Sequence, residues 1–263
     1  MPQDMPSRSI GDLTYPDISK RLRASSILCL PIGSIEQHGP HLPLNTDVVL
    51  AEEFTRRIIG RWGDTYDLWQ LPTQAVSLAR EHAWAAGTLS LSIEGMTRLI
   101  RDLGREIARS LPARNLAVIN GHGGNRGLLE ALAQDLRGDF GLNVCILHPT
   151  TWADINAVSK TQEIHGGKNE TSMMLAAAPH LVRTDEVKKL QGVAESDAVR
   201  TTILDQTVTW PWMTNEKAIG VNGVIGDAKS ASAEFGKELL EKITEAAGGI
   251  FKQLLERQQL SRG

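Results

Sequence analysis

Residues 30–47 read LPIGSIEQHGPHLPLNTD. The run that leads into this stretch, from Ser26 to Ile32, is nearly all apolar and stops at Gly33. That pattern suits a short strand buried on both faces, as in a parallel sheet. Beyond the glycine stand Glu36 and His38, two residues apart, whose side chains share a face if the backbone is extended. Pro40 and Pro43 fix φ, so the loop is expected to run extended and stiff and to carry Asp47 back towards that pair. Two acids and an imidazole on a stiff loop past a strand make a plausible oxygen/nitrogen site for a metal ion.

The chain beyond this stretch alternates strand, loop and helix. Leu50, Phe54 and Ile58 recur every four residues and predict a helix from Val48 to Ile59. Asp47 stands at its N-terminus, where a carboxylate is favourable for purely structural reasons. Tyr66 to Leu71 reads as a second strand. Ser92 is placed to cap a helix striped by Met96, Leu99, Ile100, Leu103 and Ile107. Asn115 to Ile119 is a third strand, and it delivers Asn120-Gly121-His122-Gly123-Gly124-Asn125. Asn125 is the expected N-cap of the next helix, marked by Leu128, Leu129, Leu132 and Leu136. Leu142 to Leu147 is a fourth strand. This alternation means βαβ units, a mostly parallel sheet and the α/β class.

Glu170 to Ala178 reads as a helix stopped before Pro179, and Ser232 begins a long last helix striped by Phe235, Leu239, Ile243, Ile250 and Leu254. Residues 150–164 and 191–224, which hold Trp210-Pro211-Trp212, have little periodicity. Neither a repeat nor a low-complexity linker divides the 263 residues. They are expected to form one domain, 1–263, with residues 1–12 as a loose arm.

Composition narrows the function. Net charge is -3 and the sequence pI about 6.2, which gives no electrostatic case for nucleic acid or an anionic membrane. No apolar run is long enough to span a bilayer, and the N-terminus lacks the apolar core of a signal peptide. Cys29 and Cys145 lie in apolar runs and read as buried free thiols. A soluble cytoplasmic protein is expected.

In open α/β sheets, ligands bind beyond the carboxyl ends of the strands. Glu36, His38 and His122 all fall just past predicted strand ends. His122 could equally be a backbone-bonded histidine in a tight turn. Its loop could also cradle a phosphate at a helix N-terminus, although the Gly-Lys-Ser/Thr ending of a P-loop is missing. A third segment, Ile164-His165-Gly166-Gly167-Lys168-Asn169-Glu170-Thr171-Ser172, puts His165 before two glycines and Glu170 at the start of a helix. The structural reading of Glu170 is a favourable first-turn carboxylate.

Together these three segments resemble the creatininase family of amidohydrolases. The matching stretches are Gly33 to Leu44 with Asp47, Asn120 to Asn125, and His165-Gly166-Gly167 with Glu170-Thr171-Ser172. Weaker matches are Glu81-His82 with Gly87 to Leu91, and Gly223 to Glu234. The resemblance implies a three-layer α/β/α fold and a centre of one or two divalent ions, Zn2+ or Mn2+ with Fe2+ as a third choice. By position Glu36, His38, Asp47 and His122 would be ligands, with Asp47 able to bridge two ions. Glu170 would be a further ligand or a base, and His165 the acid that protonates the leaving nitrogen. Trp152, His82 and Asn125 are expected in the substrate pocket. The resemblance also implies a homo-oligomer, a hexamer built from dimers.

Two positions and one spacing depart from the creatinine-opening members. Gly124 and Ile164 stand where those members carry glutamates, and the spacing from Trp152 to His165 is shorter. Creatinine is therefore not the expected substrate. Lys168 replaces an acid common in other branches. The expected function is metal-dependent hydrolysis of a linear or cyclic amide in a small molecule. The alternatives are a formamide or peptide-like amide, a lactone or cyclic sugar derivative, and a catalytically degenerate binder. A nucleotide-binding Rossmann protein is a weaker rival, because G-x-G-x-x-G is absent after the first strand.

Overall fold

The computed structural model describes residues 7–152, 163–190, 196–205 and 207–260. Four strands form one sheet: β1 (Ile27–Ile32), β2 (Leu68–Gln70), β3 (Asn115–Asn120) and β4 (Asn143–Leu147), in the order β2-β1-β3-β4. Every pairing is parallel. Alternation along β1 and β3 sorts the core. Ile27, Cys29, Ala117 and Ile119 point to one face, and Leu28, Leu30, Ile32, Leu116 and Val118 to the other. Both sets are buried, which is why these strands read as unbroken apolar runs.

Six helices matter here: α1 (Tyr15–Arg21), α2 (Thr46–Tyr66), α3 (Ile93–Ser110), α4 (Arg126–Phe140), α5 (Lys168–Ala177) and α6 (Ala233–Leu260). α2, α5 and α6 cover the first face and α1, α3 and α4 the second, giving three layers. Phe54 of α2 and Phe251 of α6 are almost fully buried between helices and sheet, each contributing about 1.5–3 kcal/mol by burial. The Ser92 side chain accepts from Gly95 N and caps α3, and Ser232 accepts from Phe235 N and caps α6.

Several expectations need revision. α2 runs to Tyr66 rather than stopping at Ile59, because its second half packs on α6. The Trp62 indole donates to Thr244 O at 2.8 Å, and Trp62 and Tyr66 join the Phe251 cluster. β2 is only three residues long. Asn125 stands at the N-cap position of α4 without capping by its side chain. Of the expected loose arm, Arg8 and Ser9 are docked. Ser9 bridges Gln70, and Arg8 pairs with Asp64 at 2.6 Å; residues 1–6 lie outside the described set. Cys29 is buried and Cys145 half-buried; both are free thiols, and burial pushes the Cys145 pKa up to about 12. No helix among the described residues is long and apolar enough to cross a membrane.

Candidate metal centre and substrate cavity

The register Ile32↔Asn120 sets the ends of β1 and β3 side by side, with Gly121 N donating to Ile32 O at 2.8 Å. The first turn of α2 rests on these ends. A Cβ on Gly33 would lie 2.5 Å from Val48 N, and one on Gly121 would lie 2.6 Å from Asp47 O. Only glycine permits so close a backbone approach, and it brings Asp47 over both strand ends.

The loop between β1 and α2 does not run extended. It reverses through Gly39-Pro40-His41, with Gly39 at φ +74°, a bridge from His38 to Leu42, and Glu36 N donating to Leu44 O at 2.9 Å. The prolines therefore stiffen a doubled-back loop. The result still converges as expected, with His38 Nε2 4.0 Å from Glu36 Oε1 and 3.1 Å from Asp47 Oδ1.

Around this pair the other segments close. His122 Nδ1 lies 3.2 Å from Glu36 Oε1 and 3.2 Å from Asp47 Oδ2. Glu170 Oε2 lies 3.9 Å from His38 Nε2 and accepts from Gly166 N at 2.6 Å. His165 Nδ1 is 3.7 Å from Glu36 Oε1. Two groups of donor atoms share Asp47: Glu36 with Asp47 and His122, and His38 with Asp47 and Glu170, each within 4.8 Å throughout. A third group joins Glu36, His38 and His165.

The chemistry of the donor set fits cations. Glu36 Oε1 and Oε2 and Asp47 Oδ2 are buried with no hydrogen-bond partner, which is costly for ionised oxygens unless a positive charge compensates. His38 Nδ1 donates to Glu36 O at 3.1 Å, which aims Nε2 into the centre. Anchoring of this kind is what a metal-ligating imidazole uses. Glu81 approaches from the far side of His122, its Oε1 3.5 Å from His122 Nε2. It occupies the space beside Gly124, where a Cβ would come within 2.4 Å of that oxygen.

Burial and mutual charge set the protonation of these groups. Burial opposes charge on His38, but the Asp47, Glu170 and Glu36 carboxylates overcome it and hold its pKa up at about 10. His122 is likewise raised by Glu36 and Asp47 against its burial. Burial pushes Asp47 up, yet the His38 and His122 charges leave it well below the usual range. Burial raises Glu36 above its ordinary value and lifts Glu170 to about 7. His82 falls to about 3 and His165 well below its ordinary value, by burial and then by neighbouring imidazolium charge.

His82 is inside the cluster rather than merely in a pocket. Its Nε2 lies 3.2 Å from Glu36 Oε1, and its Nδ1 accepts from Gln37 Nε2 at 2.9 Å. Its ring stacks on His165 at 4.1 Å. Gln37 and Thr214 tie this network together, since Gln37 Nε2 also donates to Gly223 O at 3.0 Å and Thr214 Oγ1 receives the Trp84 indole N–H at 2.9 Å. The sequence offered one signal for Gln37, its place between Glu36 and His38; nothing marked Thr214.

The centre floors a cavity of about 750 Å3 lined by Asp47, His82, His122, His165 and Glu170, with Trp210, Trp212 and Ile203 on its apolar side. Asn125 does not line it. It is fully buried, its amide accepting from Leu78 N at 3.2 Å and donating to Asn120 Oδ1 at 3.2 Å. Lys168 also points elsewhere, its Nζ over the Phe235 ring at 4.4 Å. Trp152 ends a helical turn, and its side chain lies outside the described residues.

Residues 11–250 match the sequence profile of the creatininase family, described as creatinine amidohydrolase. The mycofactocin precursor peptide peptidase of Mycobacterium tuberculosis is 31% identical over 245 residues, 90% of this chain and 88% of its own. The creatinine amidohydrolase of Pseudomonas putida is 29% identical over 269 residues, 93% and 96% of the two chains. Among solved structures, a manganese form of creatininase superposes with a TM-score of 0.72 at 27% identity, covering 94% of this chain and 98% of that one. A mutant creatininase of Zn-Zn type gives 0.72 at 27% identity, over 95% and 98%.

Proposed function

This chain belongs to the creatininase family and is a metal-dependent amidohydrolase, and on that premise we propose that two groups of side chains sharing Asp47 would hold divalent cations. One seat comprises Glu36, Asp47 Oδ2 and His122 Nδ1. The other comprises His38 Nε2, Asp47 Oδ1 and Glu170. The observation that carries this reading is the division of Asp47, one oxygen 3.1 Å from His38 Nε2 and the other 3.2 Å from His122 Nδ1. Nitrogen and oxygen donors without thiolate suit zinc, manganese or ferrous iron, and the manganese and zinc forms of structural neighbours support the first two.

When bound, such cations make water nucleophilic near neutral pH and polarise the amide carbonyl. The chain's own groups handle the proton. His165 Nε2 donates to Gln37 O at 2.6 Å, which leaves a lone pair on Nδ1 facing the centre. With burial holding the ring neutral, Nδ1 accepts the proton of the attacking water and then delivers it to the departing nitrogen. The acid expected from the sequence is thus a base first. Positioned proton transfer of this kind contributes about 10^2–10^4 in rate. His82 packs against Glu36, its Nε2 3.2 Å from Oε1, and holds that carboxylate turned inwards.

The substrate is an amide larger than creatinine. A cavity of about 750 Å3 lies in the range of pockets that hold drug-sized molecules, roughly 300–1,000 Å3. The peptidase in M. tuberculosis supports a peptide-like amide over a lactone. Hexameric assembly and a cytoplasmic location belong to the same reading, and light scattering and cell fractionation test them. The central experiment is chelation. Dialysis against a chelator should abolish hydrolysis of N-acyl amino acids and short peptides, and manganese or zinc should restore it with about two ions per chain. Turnover by metal-free protein contradicts the proposal; one ion per chain contradicts the sharing of Asp47.

A further inference from the structure

We propose that the cavity selects amides bearing an anionic group, which Arg80 and Arg126 bind at its rim; this rests on the amide-hydrolase reading of the same cavity. The two elements that carry histidines into the centre also carry these arginines to the wall. The turn Arg80–His82 puts His82 against Glu36 and leaves Arg80 exposed on the cavity lining. The loop after β3 puts His122 against Glu36 and Asp47, and Arg126 follows four residues later as the first residue of α4.

These are the two Lys or Arg side chains that line the cavity among the described residues. Arg80 pairs with no carboxylate among those residues. Arg126 donates through Nη2 to Thr151 Oγ1 at 3.0 Å, and Thr151 lines the same wall, so the guanidinium is held on the cavity side. Its Nε lies 3.5 Å from Glu130, whose side chain is 57% exposed, and a pair so placed is weakened by solvent.

The carboxylates of the cavity are already engaged. Glu36, Asp47 and Glu170 face the cation seats, and Glu81 faces His122. Glu163 accepts from the backbone N–H groups of Lys168 at 2.7 Å and Asp227 at 3.1 Å. Arg80 and Arg126 are thus the cationic side chains on the described lining that an incoming anion can meet. A guanidinium presents a planar fork that pairs carboxylate or phosphate oxygens bidentately. The substrate would thus lie with its scissile amide on the floor, its apolar part against Trp210 and Trp212, and its anion at the arginines.

The test is calorimetric binding to manganese-loaded protein of three hydroxamates with one acyl chain, ending in a carboxylate, a phosphonate or a neutral amide. At least one anionic probe should bind about tenfold or more tightly than the neutral one, and the tighter anion identifies the source. Arg80→Gln and Arg126→Gln should each lower that ratio by about three- to tenfold, the double substitution should bring it near one, and Arg80→Lys should retain part of it. A ratio near one in the unsubstituted protein, an unchanged ratio in the variants, equal loss for the neutral probe, or no binding of any probe overturns the proposal. Failure of the hydrolase reading is distinct: the ratio persists while no amide is turned over.

Discussion

The floor of the cavity and its rim obey different physics. The floor is nearly dry. Glu36 and His38 are fully buried, Asp47 is 1% exposed, and each is fixed by a strand end, a helix start or a backbone hydrogen bond. The rim is wet, with Trp210 at 55% exposure and Arg80 also exposed. Electrostatic interactions are strong where water is excluded and screened where it is not. A floor of this kind can hold charge for chemistry, whereas the rim can adjust which molecule arrives. The difference teaches that buried, fixed charge and exposed, screened charge lie on opposite sides of one cavity.

The sharpest way to break the contrast is to remove the shared carboxylate. Asp47→Asn should lower kcat on the order of 10^3-fold and reduce bound metal. Near-normal turnover with full metal content would show that the floor is not the reactive part. Next in size is pH. His38, with its pKa near 10, and His122, also raised, must lose protons before their nitrogens can ligate. Apparent metal affinity should therefore rise between about pH 6 and 9, by roughly tenfold per unit for each proton released. Competition with a chelator at several pH values measures this, and affinity falling with pH would reverse the assigned sign.

A pair of glycines gives a smaller and more local test. A methyl on Gly121 meets Asp47 O at 2.6 Å, whereas one on Gly123 meets nothing within 4 Å. Gly121→Ala should cost about 10^2-fold in kcat by shifting the floor, and Gly123→Ala only a few-fold. Equal effects would deny that the approach of α2 matters. The smallest change is expected at the rim, where Trp212→Ala should raise KM several-fold with little change in kcat, as loss of uniform binding does. A fall in kcat equal to that of Gly121→Ala would erase the distinction.

The floor was largely legible in the sequence, and the rim was not. Ser26 to Ile32 betrays a doubly buried strand because both faces must be apolar. Glu36, His38, Asp47, His122, His165 and Glu170 sit in three short segments that the sequence singled out, and the fold brings their donor atoms together. Thr214 and Glu81 act through partners 132 and 41 residues away, and no local pattern encodes such contacts. Asn125 looked like a pocket residue because its loop is one; its amide turned inwards to satisfy Leu78 N and Asn120. The segment holding Trp210 and Trp212 lacks periodicity because it both lines the cavity and packs a small irregular cluster around Val199, Ile219 and Ile225.

α2 has one consequence beyond positioning. It is a single rigid rod of 21 residues, about 30 Å long at the ordinary helical rise. One end bears Asp47, and the other is clamped to α6 through Trp62 and Thr244, where a Cβ on Gly248 would press the indole at 2.7 Å. Strain introduced at that distant clamp has a stiff lever along which to travel, so natural variation far from Asp47 can shift how that carboxylate meets His38 and His122.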